Sequence, residues 1–190
     1  MKLKLPRRPR GCPDCAREAE VHSSRGAYMD WLLRQIAGAG WAVSGVADDA
    51  LGPPWAFSVG LWASVGHADL AVFGRPVGQL RAIIDCLAER VSGPREAVLS
   101  VGDVLDDVGR TRLVVRPVHE SWRETLMFVV SDAFHGCIRP PIHQVAWADR
   151  EGRFPGDAGF DTALATAQPM LWLPIDDHPP GPWTRLADLS

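Results

Sequence analysis

Cysteine is scarce, tyrosine nearly absent and long apolar runs missing: the chain has four cysteines and one tyrosine in 190 residues. Four cysteines do not make a disulfide scaffold, so the thiols are expected to stay free or to bind metal. The longest strongly apolar run, Leu126-Met127-Phe128-Val129-Val130, falls far short of the ~18 residues a membrane-spanning helix needs. The basic start, with Lys2, Lys4, Arg7, Arg8 and Arg10 and no acid, resembles the opening of an export signal. It lacks the apolar core of one, because Pro9-Arg10-Gly11-Cys12-Pro13-Asp14 follows. The expected compartment is therefore the cytoplasm. The net charge of −3 becomes −8 once those five cations are set aside. A body of that sign repels phosphate backbones, which argues against nucleic acid as a partner. No phosphate-binding loop is present, since Gly38-Ala39-Gly40 follows a helical stretch instead of opening one. Ser58, within Trp55-Ala56-Phe57-Ser58-Val59-Gly60, lacks the first glycine of a nucleophile elbow.

What is present has the length of one ordinary domain, able to bury roughly 70% of its unfolded surface. Met29, Leu32, Leu33, Ile36 and Ala37 repeat at helical spacing after a cap at Ser23 or Ser24, and Gly38 and Gly40 end that helix. Strand patterns follow at 41–47, 55–61 and 70–73. Pro76 opens a second helix whose stripe is Val77, Leu80, Ile83, Ile84, Leu87 and Val91, with Cys86 packing beside it. Strands are predicted at 97–101 and 113–118, around an acidic turn at 103–107. A third helix is predicted from Ser121 to Phe134, opened by the capping box Ser121-Trp122-Arg123-Glu124 and closed by Gly136. The last strand is 142–147. The order predicts an α+β fold: an antiparallel or mixed sheet of about five to six strands with three packed helices in a single domain over 23–172. Residues 1–22 form a basic lead-in, and 173–190, with Pro174, Pro179, Pro180 and Pro182, a loose tail.

Three stretches carry a family pattern. Gly40-Trp41-Ala42-Val43 precedes Pro53-Pro54-Trp55-Ala56-Phe57-Ser58-Val59-Gly60-Leu61; His67-Ala68-Asp69-Leu70 precedes Val72-Phe73-Gly74. The third joins Gln144-Val145-Ala146-Trp147-Ala148-Asp149, Gly152-Arg153-Phe154-Pro155 and Gln168-Pro169-Met170-Leu171. In that order they resemble the bacterial family catalogued as domain of unknown function 4262, over residues 26 to about 172. The chain departs from the family pattern where Phe57 stands for tyrosine, Ala68-Asp69 for Pro-Glu and Ala148 for proline. The resemblance implies no activity.

The sharpest local signal is Cys12-Pro13-Asp14-Cys15, half of a tetrahedral zinc site or a redox dithiol. Zinc held by Cys12 and Cys15, completed by His22 or by a residue of the globular body, is the expected cofactor. Eight tryptophans are too many to bury without partners for their indole N–H groups. A cleft lined by Trp55, Ser58, His67, Asp69, Gln144, Trp147 and Asp149 is expected to hold a small molecule or peptide. The alternative is a small enzyme, hydrolase-like or metal-assisted, in which His67 or His143 acts as general base beside Asp69 or Asp149.

Overall fold

The computed structural model describes residues 23–93, 98–106, 108, 111–133 and 139–188. Helix α1 (Ser23–Ala39) buries Leu32 and Ile36 from the predicted stripe. It stops where the Gly40 amide donates back to the Ile36 carbonyl at 2.9 Å with Gly40 at φ 95°. Strands β1 (Ala42–Val46) and β2 (Trp55–Val59) form an antiparallel pair, and β2 pairs antiparallel with β3 (Asp69–Phe73), Trp55 facing Phe73. Helix α3 (Val77–Ser92) follows, and between β2 and β3 lies a short helix, α2 (Leu61–Val65). Strands β4 (Val104–Leu105), β5 (Leu113–Pro117) and β6 (Ile142–Trp147) complete a six-stranded sheet in the order β1-β2-β3-β6-β5-β4. Among the described residues only β3 and β6 run parallel, so the sheet is mixed and the fold α+β in one domain.

The two-residue period of the strands sends alternate side chains to opposite faces. On one face Ala56, Leu70, Val72, Val115 and Val145 meet Leu80, Ile84 and Leu87 of α3, all inaccessible to solvent. On the other, Phe57, Val59, Ala71 and Phe73 meet Leu32 and Ile36 of α1 together with Trp122, Met127 and Trp183. Each such aliphatic side chain contributes about 1.5–3 kcal/mol on burial, so both layers are needed.

Five expectations are corrected. The strand placed at 97–101 is absent among the described residues 98–101, because their backbone is used otherwise. The Leu99 amide donates to His67 Nε2 at 3.2 Å, and the Ser100 amide to Asp103 Oδ2 at 2.8 Å. Pairing begins instead inside the acidic turn, at β4. The strand expected to run through Leu61 ends at Gly60, whose φ of 111° turns the chain into α2. The third helix is broken into a 3-10 turn (Glu120–Trp122), α4 (Arg123–Leu126) and α5 (Phe128–Asp132), with Met127 at φ −136° between them. Unwinding there lets Leu126, Met127 and Val130 all be buried while Phe128 stays half exposed. The start is capped by His119, whose ring accepts from the Ser121 amide, and Ser121 Oγ accepts from the Ile175 amide at 3.2 Å, so the expected capping box does not form.

The fourth correction is the tail. After α6 (Thr162–Ala165) the chain forms a 3-10 turn (Ile175–Asp177) and α7 (Pro182–Ala187), and Trp183 is 1% exposed. Its ring meets Phe73 edge-on at 5.1 Å and Trp55 at 5.8 Å, and its indole N–H donates to the Thr166 carbonyl at 2.9 Å. The prolines shape this segment without loosening it. Cys86, expected to pack, is exposed on α3.

Candidate functional site

The parallel pair β3–β6 has two ends, and polar side chains gather at both. At the amino-terminal end Asp69 opens β3 opposite Ile142, and Leu70 faces His143. Asp69 has no accessible surface. Its Oδ1 accepts from the Ser58 hydroxyl at 2.7 Å and from the Leu61 amide at 3.1 Å, while Oδ2 is buried without a partner among the described residues. Burial raises its pKa to about 7, against the pull of Ser58 and of the Leu61, Gly60 and Trp62 amides. Ser58 in turn accepts from the Leu70 amide at 2.8 Å, taking the place of a ladder bond where β2 and β3 part. His67 has Nδ1 2.7 Å from the Ala68 carbonyl and Nε2 3.2 Å from the Leu99 amide. With Nδ1 donating to Ala68, Nε2 accepts from the Leu99 amide, and it lies equally near the Leu99 carbonyl at 3.2 Å. His143 lies edge-on to His67 at 6.0 Å, its buried Nδ1 without a partner among the described residues, and burial followed by the neighbouring His67 lowers its pKa.

At the carboxyl-terminal end the chain leaves β3 through Gly74 and Arg75 and leaves β6 through Ala148 and Asp149. Strand β5 enters at the same end, since Leu113 pairs with Trp147 and the Ala148 amide donates to the Arg112 carbonyl at 2.9 Å. Between these segments lies a half-open cleft of about 460 Å3, lined by Arg75, Thr111, Arg112, Trp147, Arg150 and Leu164 among others. Cavities of this size suit a small ligand.

The cleft is built on a fixed base. The Trp147 indole donates to the Phe73 carbonyl at 2.8 Å, and its backbone N–H and carbonyl are both held by the Gln168 side-chain amide at 2.8 Å. The Arg75 guanidinium lies 4.3 Å from the centre of the Trp147 ring and donates to Thr111 Oγ1 at 2.9 Å. Its Nε is buried without a partner among the described residues, and burial lowers its pKa below the ordinary guanidinium value. Asp149 borders the cleft but is consumed by its own turn. Oδ1 accepts from the Glu151 and Arg153 amides and Oδ2 from Arg153 Nε and the Asp161 amide. Desolvation raises its pKa, but the Arg153 amide and guanidinium and the Asp161 amide outweigh that and hold it below the usual range.

The family model described as "Domain of unknown function (DUF4262)" matches residues 35–161. The chain belongs to this family. No curated protein and no solved structure matches it. The DUF4262 region contains both polar ends of the sheet, whereas Gln168 and Trp183, which brace it, lie beyond the matched residues.

The residues expected to line one cleft in this family member are distributed over several places. Ser58, His67 and Asp69 are at one end of the β3–β6 pair, and Trp147 and Asp149 at the other. Gln144 ties down the returning chain, donating to the Pro169 carbonyl at 2.6 Å and accepting from the Leu171 amide at 3.0 Å. Trp55 packs against Trp183. The shared cleft is corrected to a cleft at the Trp147 end. No hydrogen bond joins His67 to Asp69 or His143 to Asp149 among the described residues: His67 is committed to backbone groups, and Asp149 is at the opposite end of β6 from His143. Arg75, Thr111 and Arg112 escaped the sequence reading. The available signal was Gly74-Arg75-Pro76, an arginine held between a positive-φ glycine and a proline directly after a motif strand. Cys12, Cys15 and His22 lie outside the described residues. Among the described residues no group of three or more His, Cys, Asp or Glu is placed to hold a metal ion, and no helix is long and apolar enough to cross a membrane.

Proposed function

We propose that this chain is a cytosolic binding or accessory protein that holds a small molecule, or the tip of a peptide, in the cleft over Trp147. The observation that carries the reading is the Arg75–Trp147 pair: a guanidinium laid on an indole at 4.3 Å beside a cavity of about 460 Å3. Both groups are braced from behind, so a ligand would meet a surface that needs little ordering. The enzyme reading needs a histidine oriented by a carboxylate, and neither His67–Asp69 nor His143–Asp149 is directly hydrogen-bonded among the described residues; the binding reading needs no such pair.

The test is a ligand-observed NMR screen of the full chain with a fragment set spanning neutral, cationic and anionic compounds. A Thr111→Trp variant, which fills the cleft from its rim, serves as the control. Fragments that bind the wild type and are lost from the variant support the reading. A screen without hits, or with hits indifferent to the substitution, overturns it.

A further inference from the structure

We infer that the cleft recognises its ligand through an oxyanion, a phosphate or carboxylate group, received by Arg75. The inference rests on the binding reading above and specifies the chemistry of the occupant. Its first support is an imbalance of partners. A guanidinium carries five N–H donors; the Thr111 hydroxyl takes one, and no carboxylate among the described residues pairs with Arg75. Arg75 is half-buried, but its Nε is shut off from solvent, and a cationic donor so placed is ordinarily matched by an acid or an anion.

The second support is how the acids around the cleft are spent. Asp149, with a side chain that has no accessible surface, is saturated by the turn it organises and by Arg153. Asp106 is bound to Arg112 Nε at 2.7 Å. Arg75 and Arg150 have no such partner among the described residues. A positive concavity thus sits on a chain that is net negative. A cationic ligand would be repelled from it, and a neutral one would leave the charge unanswered.

The third support is preorganisation. Contact with the Trp147 ring at 4.3 Å and the bond to Thr111 hold the Arg75 fork at the cleft, and such a fork can receive an oxyanion through two parallel N–H bonds. Backbone restraint adds to this, because Gly74 (φ 76°) and Pro76 (φ −48°) flank the residue. Lysine, a point charge on a flexible stem, could supply the charge without the fork.

The experiment is a titration of the full chain with inorganic phosphate and, separately, with acetate. Potassium chloride at matched ionic strength is the reference, and the Arg75 Nε–H and Trp147 indole N–H resonances are followed by NMR. Saturable shifts at these two groups with phosphate alone identify a phosphoryl group; with acetate alone, a carboxylate; with both, a general oxyanion site. Any of the three supports the inference. Arg75→Gln is expected to abolish saturation, and Arg75→Lys to weaken it at least tenfold while leaving the circular dichroism spectrum unchanged. If Arg75→Gln misfolds, Arg150→Gln is read in its place and should weaken binding severalfold. Shifts no larger than those in chloride, or saturation unchanged in Arg75→Gln, overturn the inference. Neutral fragments that still compete for the cleft in that case would leave the binding reading standing while the oxyanion assignment falls.

Discussion

Asp69 concentrates the strongest residue-scale consequence of the fold. A carboxyl group in the unfolded chain titrates near ~3.9, whereas in the native protein burial raises Asp69 to about 7. The native state therefore holds its proton over a pH range in which the unfolded chain has lost it. The contribution to stability is fully present below about pH 4 and is lost as pH rises through about 7. Chemical denaturation of the wild type at pH 5 and pH 8 should show the part of this loss that falls above pH 5, about 3 kcal/mol at most for some two pKa units. Asp69→Asn, which keeps an acceptor for Ser58 and Leu61, should flatten that slope, and an unchanged slope would assign the pH dependence elsewhere. A second residue-scale prediction concerns Cys12 and Cys15. Their spacing predicts zinc in the reduced, freshly purified chain. Elemental analysis should find about one equivalent in the wild type and loss of it in a Cys12→Ser, Cys15→Ser variant, whereas equal substoichiometric zinc in both would dispose of the site.

At the scale of elements, the junctions carry the information that positions the cleft. Gly74 sits at φ 76°, and a Cβ there would press on the Ala167 backbone carbonyl just before Gln168. Gly74→Ala therefore combines a disfavoured backbone conformation with a clash against backbone that cannot easily yield. A loss of about 2 kcal/mol or more in urea unfolding is expected, along with weaker ligand binding, because Arg75 is the next residue. Gly78→Ala, in the first turn of α3 with nothing within 4 Å of the added carbon, should be neutral or slightly stabilising. Equal effects from the two substitutions would mean that the junction is not strained. The helix terminators and strand patterns were legible because they depend on near neighbours. The break at Met127 was not, because it answers a burial requirement set by the far face of the sheet.

For the whole molecule, the segment after the family match closes one of the two cores. Trp183 contacts Phe73 and Trp55, and Gln168 holds Trp147. Removing the indole leaves a cavity beside β2 and β3, so Trp183→Ala should cost about 3–5 kcal/mol. The same change should disturb the cleft only through the sheet. A cost below about 1 kcal/mol would show that the end of the chain is merely draped on the surface.

The α+β class, both long helices and five of the six strands could be read from local order, because amphipathic period and turn chemistry are properties of neighbouring residues; the family was carried by its three motif stretches. The buried status of Asp69 and Asp149, the splitting of the motif residues between two ends of the sheet, and the docking of Trp183 could not. They depend on which segments the β3–β6 pairing and the returning chain bring together. The Arg75 cleft is of the same kind. Its residues are separated by some seventy positions along the chain, and it exists only because parallel pairing places the exits of β3 and β6 side by side, where β5 enters. Local sequence specifies where a strand ends; tertiary pairing decides what stands next to that end.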